Sequence, residues 1–128
     1  MDLFFQDPNV VRLPPEEVRL LEVKVAPLPE SGRVKIYIEM TPFQKRPNIS
    51  VSITNAAGKE AARTTILETM LTRLEVTLHL REAIRGVEYT VETSVFYQKL
   101  PQPSETEVEL QLPDPMIVDQ HKTTFILP

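Results

Sequence analysis

Two histidines, a run of alternating glutamates and one Asn-x-Ser triplet are the residues of this 128-residue chain whose types and spacing suggest chemistry. His79 lies in "LEVTLHLRE", on the polar side of an alternating segment with Glu75, Thr77 and Arg81. Glu75 is four strand residues away, about 13 Å, too far for both side chains to hold one metal ion. A solvated surface histidine is the expectation there. His121 stands apart in the C-terminal stretch, and no nucleophile-elbow motif accompanies either histidine, so no Ser-His-Asp relay is expected. Glu105, Glu107 and Glu109 recur about 7 Å apart along one strand face, a spacing at which carboxylates can share a cation. Calcium sites draw on loop oxygens from closely spaced Asp and Asn, which this stretch lacks. An acidic edge that discourages sheet-to-sheet aggregation is the expected reading, with a cation reading left open by Asp114 and Asp119.

Glu outnumbers Asp fourteen to four, so carboxylates are abundant, yet nothing in the sequence brings two together in a cleft for glycosidase chemistry. Three scattered glycines cannot build a phosphate-cradling loop. The chain is therefore expected to be no enzyme and to need no cofactor and no metal. Asn48 heads the triplet Asn48-Ile49-Ser50, but "MDLFFQDPNVV" has no basic start or long apolar run, so the triplet reads as a chance match and the cytoplasm as the expected compartment. Leu3, Phe4 and Phe5 are expected to pack on the body of the protein or to open an N-terminal strand.

A net charge of -4 and a pI near 5.2 give no general attraction for nucleic acid or anionic lipid, which leaves Lys45 and Arg46 as an isolated basic pair. No stretch approaches the length of a membrane-spanning helix. The absence of cysteine excludes a disulfide framework. Twelve prolines against three glycines, and eight Arg against six Lys, are compatible with a heat-adapted, thermophilic source.

The elements that would position these residues are short. Prolines bracket the chain at 14–15, 27–29, 42–47, 101–103 and 113–115, and apolar runs of strand length lie between them. "RVKIYIEMT", "NISVSITN", "LEVTLHLR", "VEYTVETSVFY" and "ETEVELQL" alternate with period two, so each buries one face and wets the other. "VRLLEVKVA" alternates from Leu21 onward, and the phase break at Leu20 and Leu21 predicts a bulge. "EAARTTILETMLTRL" carries both helical and strand signals; it is read as a strand over 60–68 followed by a turn over 69–73. The whole chain, 1–128, is read as one domain, with 1–15 and 113–128 as docking tails or edge strands. The fold class is all-β: an antiparallel Greek-key β-sandwich of seven to eight strands.

Residues 74–97, "LEVTLHLREAIRGVEYTVETSVFY", resemble the E strand, E–F turn and F strand of immunoglobulin-like and fibronectin type III-like sandwiches, with Gly86 and Tyr89 as the approach to the second strand. "NAAGKEAA", residues 55–62, resembles the turn after the C strand of bacterial modules of that kind. The resemblance implies an Ig-like sandwich without the disulfide class, and carries no functional residue with it.

On that arrangement "NISVSITN", "VEYTVETSVFY" and "ETEVELQL" become the C, F and G strands of one sheet. Their outward residues form a hydroxyl-rich candidate interaction face: Asn48, Ser50, Ser52 and Thr54, then Thr90, Glu92, Ser94 and Phe96, then Glu107, Glu109 and Gln111. The other sheet would show Glu22, Lys24, Lys35, Tyr37, Glu39, Glu75, His79 and Arg81, a mixed-charge exterior. The expected function is a non-enzymatic protein-interaction or assembly module, with a protein partner or a second copy of itself in a homodimer. The alternative is a small-ligand or carbohydrate-binding sandwich, for which Tyr37, Phe43 and Phe96 are the available aromatics.

Overall fold

In the computed structural model, which describes residues 11–28, 31–98 and 115–128, the period-two alternation of "RVKIYIEMT", "NISVSITN", "LEVTLHLR" and "VEYTVETSVFY" becomes strand. β1 is Leu20–Leu28, β2 Arg33–Met40, β3 Asn48–Thr54, β4 Glu60–Ile66, β5 Arg73–His79, β6 Glu88–Tyr97 and β7 Met116–Ile126, with a 3-10 turn at Pro15–Glu17 before them. They pair antiparallel into two sheets, β1-β2-β5 and β4-β3-β6-β7. The chain changes sheet between β2 and β3 and again between β4 and β5 and between β5 and β6, which is the interlock of an Ig-like Greek-key sandwich.

The core lies between the central strands. Val34, Ile36, Ile38 and Met40 of β2 meet Ile49, Val51 and Ile53 of β3 and Tyr89, Val91 and Val95 of β6, all buried. Each such side chain contributes about 1.5–3 kcal/mol by leaving water. Their partners across the sheet face inward too, Leu78 and Val76 beside Val34 and Ile36, Val95 and Val91 beside Ile49 and Ile53, and the residues between them along each strand point outward, so one phase of each strand builds the core and the other builds a surface.

The turns follow from side-chain chemistry. Asn55 Oδ1 accepts from the backbone N–H groups of Ala57 and Lys59 (3.0 and 2.9 Å), and Gly58 takes a left-handed φ of +84° that closes the β3–β4 hairpin. Between β5 and β6 the Tyr89 hydroxyl accepts from the Ile84 N–H at 3.0 Å, while its ring stacks on Phe125 at 5.4 Å. This is the tyrosine corner of immunoglobulin-like sandwiches, in which a tyrosine opening the F strand bonds back to the chain just upstream.

Three expectations are refined and one is met. The strand beside β6 is β7, Met116–Ile126, whereas 105–112 was expected there and lies outside the described residues. The segment with mixed signals is strand only to Ile66 and then turns to cross between sheets. Asn48 is in phase with the open face but is 8% exposed, because its Oδ1 accepts from the Glu68 N–H (2.8 Å) and steadies Glu68 at a left-handed φ of 48°. The bulge is where the phase break placed it, between Leu20 and Glu22.

Candidate functional site

The hydroxyl-rich face exists, on the outer side of β4-β3-β6-β7. Ser50, Ser52, Thr54, Thr90, Glu92, Ser94 and Phe96 are half-buried outward residues of β3 and β6. The register aligns Ser50 with Ser94, Ser52 with Glu92 and Thr54 with Thr90. Part of its hydrogen-bonding capacity is used at home: Gln120 Nε2 donates to Ser94 Oγ (3.3 Å), and Arg63 donates to Ser50 Oγ (3.4 Å) and to Glu60 (2.8 Å). Glu107, Glu109, Gln111 and Glu105 lie outside the described residues, as do Asp114 and Leu3 to Phe5.

The histidines are separated. His79 is exposed at the end of β5, opposite Arg33. His121 faces inward from β7 directly across from Thr93, which is wholly buried, and neither Thr93 Oγ1 nor His121 Nδ1 has a hydrogen-bond partner among the described residues. Asp119, on the same inner side, is committed to structure: its Oδ2 accepts from the Leu20 N–H (2.8 Å), tying the edge of one sheet to the other, and its Oδ1 from the Gln120 N–H (2.9 Å). Among the described residues no group of three metal-ligating side chains converges.

The outer side of β1-β2-β5, expected to be a plain solvated exterior, holds the more distinctive geometry. Tyr37 sits on the central strand with its residue 40% exposed. Lys24 and Glu75 flank it across the sheet, and Lys35 and Glu39 lie two positions to either side along β2. Three ion pairs ring the tyrosine, Lys24–Glu22 at 3.4 Å, Lys35–Glu75 at 3.5 Å and Arg73–Glu39 at 3.3 Å. Together Glu22, Lys24, Tyr37, Glu39, Arg73 and Glu75 line an open depression of about 460 Å³. Such exposed pairs add little stability, about 0–1 kcal/mol each. The available signal was a single aromatic at an outward position of an otherwise charged strand face.

At the end of the sandwich where β6 finishes, the Tyr97 hydroxyl donates to the Lys45 carbonyl at 2.7 Å, and burial pushes its phenol from 10.0 up to about 12. The unfolded chain therefore loses this proton at lower pH than the folded one. Stability from this group is intact below about pH 10 and falls as pH rises from there through about 12. Denaturant midpoints across that window should fall less steeply for Tyr97→Phe than for the parent, and the variant should lose about 1 kcal/mol at neutral pH with its hydrogen bond.

The fold and its tyrosine corner define an Ig-like β-sandwich whose two outer faces differ in character. No protein-family model matches the sequence, and no curated protein matches it either. Among solved structures the chain is similar to the apo β-glucuronidase from Ruminococcus gnavus, at a TM-score of 0.52 and 14% identity over 87% of this chain and 16% of that one. It is also similar to an FMN-binding β-glucuronidase from Facaelibacterium prausnitzii L2-6, at 0.49 and 13% over 85% and 16%. A glycosyl hydrolase family 2 member from Bacteroides cellulosilyticus DSM 14838 gives 0.47 and 8% over 86% and 15%. The chain spans about a sixth of the length of these proteins, and the likeness is one of fold. Among the described residues no helix is long and apolar enough to cross a membrane.

Proposed function

We propose that this sandwich is a non-catalytic binding domain whose ligand is a neutral, polyhydroxylated molecule of sugar type, held on the Tyr37 face. The observation that supports this reading is the half-exposed Tyr37 ring inside its ring of ion pairs. A pyranose presents an apolar C–H face suited to an aromatic ring and hydroxyls suited to both donors and acceptors. Lys24, Lys35 and Arg73 supply charged donors, and Glu22, Glu39 and Glu75 supply charged acceptors, which make the stronger class of hydrogen bond. Because three cations offset three carboxylates, the face favours neither sign of ligand, hence a neutral sugar.

The test is titration calorimetry of the full chain against a panel of neutral and uronic-acid oligosaccharides. A neutral oligosaccharide should bind, and Tyr37→Ala should weaken it about tenfold or more, equivalent to about 1.4 kcal/mol, with the thermal midpoint little changed. Binding that survives Tyr37→Ala, or a panel with no binder, would sink the assignment.

A further inference from the structure

The two outer faces differ in one respect that points to an occupant. On the β1-β2-β5 side the charges around Tyr37 are paired within the chain, whereas on the β6–β7 half of the other face Glu92 and Lys122 sit directly opposite each other in the ladder and, among the described residues, form no ion pair with each other or with any other group. Around them the rows are matched by type. Thr90 lies opposite Thr124 and Ser94 opposite Gln120. One extra residue in β7, at the register shift opposite Val95 and Phe96, resets the phase of the strand, so that Ile117, 51% exposed, comes to lie beside the outward Phe96. That bulge sets the exposed Ile117 beside the half-buried Phe96 at the end of a face that is otherwise polar.

We infer that this half-face is the contact between two copies of the chain, related by a twofold axis running parallel to the strands between β6 and β7. An isologous interface must be complementary to itself. With the axis in that place, every row of one copy meets the same row of the other with its halves exchanged. Glu92 of each copy faces Lys122 of the other, Ser94 faces Gln120, the threonines face each other, and Phe96 and Ile117 cover Ile117 and Phe96. The charged pair left open within the chain is closed twice across the axis, and the bulge supplies the apolar part that such a contact needs at its core. The pairing leaves both Tyr37 faces pointing away from the dimer, so the proposed ligand site would be presented twice, in an arrangement suited to a repeating polymer. The dimer itself does not depend on the sugar reading.

Sedimentation equilibrium on the full chain decides it. The expected mass is twice the 14.6 kDa of the chain. Lys122→Glu sets carboxylate against carboxylate at both symmetry-related positions and should weaken the dimer roughly a hundredfold, with circular dichroism and melting unchanged because the side chain is exposed. The double exchange Glu92→Lys with Lys122→Glu restores opposite charges across the axis and should restore the dimer. A monomeric parent at millimolar chain overturns the inference. So does a dimer that ignores Lys122→Glu, which would place the contact elsewhere, or a single variant whose defect the exchange fails to repair.

Discussion

Tyr89→Ala is expected to remove about 3–5 kcal/mol of stability, the range for deleting a buried aromatic, with an accompanying fall in thermal midpoint on the order of 10 °C or more. Three contributions meet in that one residue. Its ring is 1% exposed within the core, it stacks on Phe125 of β7, and its hydroxyl closes the link between β5 and β6 through the Ile84 N–H. Tyr89→Phe separates them. It keeps the ring and its stacking and loses only the corner hydrogen bond, so it should cost about 1 kcal/mol, more to the extent that the Ile84 N–H is left dry. Equilibrium denaturation of both variants checks the ladder. Equal losses for Phe and Ala would mean that the hydroxyl, not the ring, organises the corner.

The approach to β6 was legible because Gly86 and Tyr89 stand three residues apart before a strand that alternates without interruption, whereas the hydroxyl bond to Ile84 that makes it a tyrosine corner appears only in the structure. β2, β3 and β6 were legible for the same reason: each is central in its sheet, each buries one phase completely, and nothing disturbs that phase. β7 was not. "ETEVELQL" alternates more regularly than "MIVDQHKTTFI", yet the second is the strand paired with β6. Its inner face carries Asp119, His121 and Thr123 because it lies at the seam with β1, where the core gives way to half-exposed positions and a carboxylate is needed to satisfy the Leu20 N–H. The bulge near Ile117 then breaks the period that pattern-reading relies on. Polar inward residues on an edge strand also oppose edge-to-edge aggregation, so the features that hid β7 have a physical use.

The geometry of the candidate face was legible in outline. Alternation assigned Ser50, Ser52, Thr90, Glu92, Ser94 and Phe96 to the outside correctly, since period two alone decides that. It could not see that Asn48, at the same phase, is turned into a support for Glu68 by a contact 20 positions along the chain. Nor could it see that Tyr37 is surrounded, because Lys24 and Glu75 reach its flanks only through pairing with β1 and β5. Surface sites on sheets are assembled across strands, and cross-strand register is the information that a single sequence withholds.

Ile36 and Tyr37 turn that division into a measurement. They are neighbours on β2 whose side chains leave opposite sides of the sheet, Ile36 wholly buried and Tyr37 40% exposed. Ile36→Ala deletes methylenes from the most enclosed part of the core, between the two sheets, and is expected to cost about 2–5 kcal/mol, the upper part of that range if the rigid strands cannot close over the cavity. Ligand affinity measured well below the melting temperature should change little, because the backbone that carries Tyr37 is held by pairing on both sides. Tyr37→Ala should do the reverse, keeping the midpoint and losing the ligand. Unfolding midpoints and titrations on the two variants give a two-by-two comparison. If Ile36→Ala weakened binding as much as Tyr37→Ala at full occupancy of the folded state, the site would depend on core packing beneath it, and the proposed platform would be a deformable pocket instead of a rigid sheet face.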